Sequence, residues 1–180
     1  MHATICDMIT DLVQNAIEAN ATEIKLKIKE TKKKLNVTIT DNGKGMSAQT
    51  LEKAKDPFWS DGQKHKHRKV GLGLPFLFQT SETIDGTTTI ESQKGQGTTL
   101  TFSFDQEHVD LPTFGNFPTA ATALMSYGFE GNLSIERNVN EKKYAVDKNE
   151  LIEALGELND PEGLILLREF FEANEKEICT

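Results

Sequence analysis

The sequence predicts an α+β fold: a two-layer α/β sandwich, with helices on one face of a mixed, mostly antiparallel sheet and a small α/β extension at the C-terminal end. Three observations carry this. Apolar residues recur at helical spacing over residues 4–19, two strictly alternating stretches follow, and a second helix then leads into two more strand-like stretches. A helix buries one stripe and a strand one face, so this order is satisfied when the helices pack together on one side of a sheet.

Ile5, Met8, Ile9, Leu12, Val13, Ala16 and Ile17 form the apolar stripe of the first helix. Thr22–Lys29 alternates through Ile24, Leu26 and Ile28, and Leu35–Asp41 through Leu35, Val37 and Ile39, with Lys32-Lys33-Lys34 as a hairpin connection. Residues 47–54 suit a short helix, and Asp56–Val70 is polar, basic and irregular. Pro75–Glu82 reads as a helix, since Pro75 near its first position forfeits no hydrogen bond. Thr87–Ser92 and Thr98–Phe104 are strands joined by the turn Gly95-Gln96-Gly97. Beyond Asp105 the pattern suggests a helix over Thr119–Tyr127, a hairpin over Phe129–Val146, and helices over Asn149–Leu158 and Pro161–Glu175, the last capped by Asp160.

The 180 residues suit one compact domain or a domain with an appendage. The longest apolar run, Leu164–Leu167, is far too short to span a bilayer, and Asp7 and Asp11 interrupt any leader-like segment. Cys6 and Cys179 are therefore expected as free thiols in a reducing cytoplasm rather than as a disulfide. The net charge of −8 argues against a nucleic-acid binder. Residues 1–104 carry 14 basic and 12 acidic side chains (+2), whereas 105–180 carry 6 and 16 (−10), which marks a boundary between 1–105 and 106–180. Such an acidic stretch is either a solvated surface or a docking face for a basic partner.

Three clusters bear chemistry. Asp7, Asp11 and Asn15, four residues apart, stack on one helix face, where their oxygens suit a hard cation; the alternative is an acidic surface. In Asp41-Asn42-Gly43-Lys44-Gly45, counting by twos places Asp41 on the buried side of its strand, where a carboxylate needs a donor such as an adenine amino group. Asn42-Gly43 is also a hairpin turn signal. Gly43-x-Gly45-x-x-Ala48 matches a dinucleotide fingerprint, but no acidic strand end follows at the required distance, so that reading is rejected. Gly71-Leu72-Gly73-Leu74-Pro75 opens a helix after a loop holding Lys64, Lys66, Arg68 and Lys69, with His65 and His67. Glycines at a helix start expose N–H groups to phosphate oxygens, yet no P-loop sequence is present.

Taken in order, Asn15 in a helix, Asp41-x-Gly43-x-Gly45, Gly71-x-Gly73-Leu74 and Gly95-x-Gly97-Thr98 resemble the N, G1, G2 and G3 boxes of the GHKL superfamily of gyrases, heat-shock chaperones, histidine kinases and MutL proteins. The resemblance covers residues 4–104 and implies the Bergerat fold with ATP and Mg²⁺ as ligands. It implies that Asn15 ligates Mg²⁺, that Asp41 binds the adenine amino group, and that Gly43 and Gly45, beside Met46, let the base approach. Residues 46–70 would be a lid, with Lys69 from it and Gly71, Leu72, Gly73 and Leu74 around the phosphates and Thr98 completing the adenine end. The run Asp11-Leu-Val-Gln-Asn15-Ala-Ile-Glu-Ala is similar to the first MutL helix, while Asp56-Pro57-Phe58-Trp59-Ser60-Asp61 is similar to a histidine kinase F box. Where MutL and gyrase place a water-activating glutamate, this chain has Asp11, one methylene shorter, as the candidate general base. Residues 105–180 do not match the second, lysine-bearing domain of gyrase and MutL, and His2, His65, His67 and His108 lie in no phosphoacceptor context.

The implied function is that of a stand-alone, kinase-like regulatory protein, cytoplasmic and free of nucleic acid and membrane, that uses Mg-ATP with a protein partner. The alternatives are an ATPase switch of MutL or gyrase type that dimerises on ATP binding, and a non-catalytic ATP-dependent binding module.

Overall fold

The computed structural model describes residues 4–55 and 73–180. Helix α1 (Ile5–Glu18) opens the chain, followed by strands β1 (Glu23–Glu30) and β2 (Lys34–Asp41) and the short helix α2 (Ala48–Ala54). Then come α3 (Gly73–Thr83), β3 (Thr87–Gln93), β4 (Gly97–Asp105), α4 (Phe117–Ser126), β5 (Asn132–Val139), β6 (Lys142–Asp147), α5 (Lys148–Leu155) and α6 (Pro161–Ile178). The six strands form one sheet in the order β3-β4-β2-β1-β5-β6. Only the β1–β5 pairing is parallel, which gives the mixed, mostly antiparallel sheet expected.

One face of the strands is buried. Ile24, Leu26 and Ile28 of β1, Leu35, Val37 and Ile39 of β2, and Leu100, Phe102 and Phe104 of β4 point into the core. They meet the α1 stripe of Ile5, Met8, Ile9, Leu12, Val13 and Ala16, together with Leu77 of α3. Each such side chain taken from water contributes roughly 1.5–3 kcal/mol toward folding before entropy is charged against it. The opposite face is polar: Lys27 is paired across it to Thr38 on one side and Glu136 on the other.

The boundary at Asp105 is no break in this sheet. β5 lies alongside β1 over its whole length, Glu23 opposite Asn132 through Glu30 opposite Val139. Leu133, Ile135, Phe117, Leu124, Leu167 and Phe171 belong to the same buried cluster as α1 and β1. A composition shift reports surface charge, and the core beneath it is continuous.

Element ends follow local chemistry. α4 begins at Phe117, two residues before the expected start, because the Asn116 side chain accepts the Thr119 N–H and Pro118 occupies the first turn. α5 stops at Leu155, three residues before the expected end, where Gly156 leaves the helix at φ 84°. α6 continues three residues beyond Glu175 to Ile178, which is buried. Both cysteines are free thiols, and burial pushes that of Cys6 up to about 12. Among the described residues no helix is long and apolar enough to cross a membrane.

Candidate nucleotide site

The site is assembled on α1 and the loop that leaves β2. Asp41 ends β2, half-buried on the same side as Leu35, Val37 and Ile39, as the alternation predicts. Its Oδ1 accepts the Gly43 N–H at 2.8 Å, and the Thr98 N–H on the facing strand also donates to the carboxylate. Burial raises its pKa above the ordinary value, and those two hydrogen bonds partly offset the rise. The result is a carboxylate short of water with spare acceptor capacity, the condition under which an additional donor is bound tightly.

The loop after Asp41 is held on both sides. Asn42 does not turn a hairpin: its Oδ1 accepts the Thr22 and Glu23 N–H groups, each at 2.9 Å, which ties it to the start of β1. The Lys44 N–H donates to Ala19 O at the end of α1, and the Gly95 N–H of the β3–β4 turn donates to Lys44 O at 2.7 Å. Gly43 packs on Ala19, where an added Cβ would lie 2.8 Å from its carbonyl oxygen. Gly45 adopts φ +60° and Gly97 φ +96°, and a methyl on either would overlap backbone, the Gln93 carbonyl for Gly45 and the Asp41 carbonyl for Gly97. Both positions require glycine on conformational and steric grounds. The visible reason for this spacing is thus backbone on backbone, locking the Asp41 loop to the β3–β4 hairpin.

Met46 and Thr98 meet at a residue the sequence did not single out. The Ser92 hydroxyl accepts the Met46 N–H at 2.8 Å, lies 2.9 Å from Thr98 Oγ1, and donates to Gly97 O at 3.0 Å. Its signal was slight: a serine at the end of a strand, just before a glycine turn. Thr98 is therefore tied to Asp41 by its N–H and to the loop through Ser92.

The other end of the site lies where α3 starts. A Cβ on Gly73 would sit 3.4 Å from Asp11 Cβ and 3.5 Å from Asn15 Nδ2. The first turn of α3 therefore rests on the α1 face that carries those two side chains, and Leu74 packs against the core beside it. Asp7 does not join them. Its carboxylate accepts the Thr4 N–H at 3.0 Å and the Thr4 hydroxyl at 2.7 Å, closing a capping box on α1. Lys69, Gly71 and Leu72, the basic loop from Lys64 and the Asp56–Asp61 stretch lie outside the described residues.

The residues fit a nucleotide and a metal in complementary ways. Ala19, where α1 meets Gly43, and Asp11, beneath Gly73, are about 12 Å apart along the helix. That stretch of α1 connects the start of α3 at Gly73 with the loop that follows the half-buried Asp41 carboxylate, and a helix start is where phosphate oxygens find free N–H groups. Among the described residues no group of three His, Cys, Asp or Glu side chains could hold a metal alone. Mg²⁺ ordinarily takes few protein ligands and shares substrate phosphates, which is compatible with a single amide oxygen from Asn15.

These features define an ATP-binding module of the histidine kinase-like type. Residues 2–108 match the family described as histidine kinase-, DNA gyrase B-, and HSP90-like ATPase, and the chain belongs to that family. The heme sensor protein HssS of Staphylococcus saprophyticus is 32% identical over 96 residues, covering 52% of this chain and 20% of that protein. Sporulation kinase B of Bacillus subtilis is 32% identical over 107 residues, covering 58% of this chain and 23% of that protein. The match thus spans about a fifth of those relatives' length. The N-terminal domain of a DNA repair protein has the same fold, with a TM-score of 0.56 at 17% identity over 79% of this chain and 51% of that one.

Proposed function

We propose that the protein is a kinase-like regulatory module that uses Mg-ATP together with a protein partner. In this reading the adenine amino group donates to Asp41, Gly43 and Gly45 shape the loop around the base, and Thr98 completes that end. The phosphates lie at the start of α3, against Gly71, Gly73 and the neighbouring Leu72 and Leu74, with Lys69 neutralising their charge. Asn15 would hold Mg²⁺ through its side-chain oxygen, and the ion would supply charge neutralisation at the phosphates. Phosphoryl transfer asks little more of a protein than positioning and charge neutralisation, both of which these residues supply. The observation that carries the reading is the placement of Asp11 and Asn15 under Gly73, toward the opposite end of α1 from the loop that follows the half-buried Asp41.

Asp11 supports a second reading. Its Cβ would lie 3.4 Å from a methyl placed on Gly73, and in this reading its carboxylate polarises a water beside the terminal phosphate. The module would then turn ATP over slowly, as a nucleotide-gated switch does. Calorimetric titration with ATP, with and without Mg²⁺, followed by a phosphate-release assay separates these. Mg²⁺-dependent binding with negligible release supports kinase-like use with a partner. Steady release that disappears in Asp11→Asn, with binding retained, supports the switch, and absence of binding refutes both.

A further inference from the structure

We infer that Arg137, in the acidic C-terminal part of the chain, is a positioning residue for the nucleotide site, acting through the N-terminal end of α1; the inference rests on the nucleotide reading above. The starting point is how α1 is held. Four N–H groups at the start of a helix lack intrahelical partners. Here the Thr4 N–H is taken by the Asp7 carboxylate and the Asp7 N–H by the Thr4 hydroxyl. Those of Ile5 and Cys6 donate to Thr113 O and Phe114 O, each at 2.9 Å. The segment 113–116 is therefore a strap across the helix start. It passes so close that a Cβ on Gly115 would stand 2.6 Å from Thr4 Oγ1.

The strap is held in turn by Arg137. This side chain is 1% exposed, and its guanidinium carbon lies 4.7 Å from the centre of the Phe114 ring and 5.5 Å from that of Phe117. One end donates to Glu30 Oε2 of β1 at 2.6 Å. Nη2 also donates to Glu175 Oε2 of α6 at 3.4 Å, while Nε lies 3.3 Å from Glu175 Oε1 in an ion pair without hydrogen-bond alignment. Tyr144 of β6 donates to Glu175 Oε1 at 2.9 Å and fixes that carboxylate. One buried cation thus joins β1, α6 and the strap at a single point. Its planar, always-charged guanidinium is the group that can pair with carboxylates in its plane while stacking aromatic rings on its face.

Asp11 and Asn15 lie roughly 8–14 Å along the same helix from Cys6. The far end of α1 stays fixed where Ala19 O accepts the Lys44 N–H, so releasing the helix start lets it pivot there and changes where Asp11 and Asn15 meet Gly73. The adenine end stands on β2, β4 and that pivot at Ala19, the end of the helix away from the strap. Loss of Arg137 is therefore expected to act unevenly, on the metal and phosphate end.

The test compares the full chain with Arg137→Met and Arg137→Lys. The readouts are affinity for ATP with Mg²⁺, affinity for ATP in EDTA, and circular dichroism at a temperature where each variant is folded. Arg137→Met is expected to lose at least tenfold of the Mg²⁺-dependent gain in affinity while its EDTA affinity stays within about twofold, and Arg137→Lys to regain part of the loss. A folded Arg137→Met with the wild-type Mg²⁺ gain overturns the inference, as does a proportional loss of both affinities that lysine does not repair. If Arg137→Met does not fold, amide hydrogen exchange of the wild type decides. Mg-ATP is expected to slow exchange at Ile5, Cys6 and Gly115 as well as in α1 and α3. Protection of α1 and α3 without those three amides overturns the inference, whereas no protection anywhere refutes the nucleotide reading itself.

Discussion

Asp41→Asn is the most informative single substitution, because the structure dictates which way the new amide must face. In the wild type Oδ1 is engaged by the Gly43 N–H at 2.8 Å. An asparagine keeps that bond only by turning its oxygen to Gly43, which leaves its NH₂ where the second carboxylate oxygen was. The adenine amino group then meets a donor rather than an acceptor. A hydrogen bond to a charged group is worth about 1.5–3 kcal/mol, so with about 1.4 kcal/mol per decade the affinity for ATP falls roughly 10- to 150-fold. The fold is expected to gain slightly. Burial raises the Asp41 pKa in the folded chain, so at neutral pH the charged carboxylate costs stability, and that cost is relieved as pH falls through the raised pKa. Replacing it with a neutral isostere removes the cost at pH 7. Calorimetry with Mg-ATP, beside thermal unfolding of the ligand-free protein, checks both halves. Wild-type ADP binding is also expected to weaken on acidification, starting above the ordinary aspartate range, and this dependence is expected to vanish in the variant. An affinity change below about threefold in a folded variant would refute the role assigned to Asp41.

Three further outcomes are expected. Asn15→Ala removes the proposed metal ligand, so ATP affinity becomes the same in Mg²⁺ and in EDTA; calorimetry that still shows a Mg²⁺ gain moves the ion elsewhere. Gly45→Ala both strains a left-handed residue and drives a methyl into the Gln93 carbonyl, so urea unfolding is expected to show a loss of about 2–4 kcal/mol. Gly95→Ala, also at positive φ but with nothing within 4 Å of the added Cβ, is the control, with a loss of about 1 kcal/mol. Truncation after His108 strips β5 from β1 and removes Phe117, Leu124, Leu167 and Phe171 from the core, so the fragment is expected to show no cooperative thermal transition and a collapsed amide proton spectrum. A sharp transition in that fragment would show that the first 108 residues fold alone.

What was legible in the sequence was everything with a local period or a local steric demand. The α1 stripe, the alternation of β1 and β2, and the inward phase of Asp41 follow from repeats of 3.6 and 2 residues that need no knowledge of distant chain. The spacing of Asn15, Asp41, Gly43, Gly45, Gly73 and Gly97 was equally legible as a motif, though not its mechanical reason. That Gly45 and Gly97 meet each other's neighbouring backbone, and that Ser92 ties Met46 to Thr98, depends on the β3–β4 hairpin folding back onto the β2 loop.

Only the tertiary structure decided the remainder. The fall in charge after Asp105 suggested a boundary, because charge is a property of the surface, whereas β5 completes the sheet by pairing with a strand more than a hundred residues earlier in the chain. Arg137 continues the inward phase of Leu133 and Ile135 on its strand, but nothing in the local sequence names the partners that let a charge sit there. Its burial is tolerable only because Glu30, 107 residues before it, and Glu175, 38 residues after it, arrive at the same place. A buried charge is stable only with its partners, and those partners are chosen by which elements pack together. Periodicity determines the face each element buries; the identity of what covers that face is a property of the assembled chain.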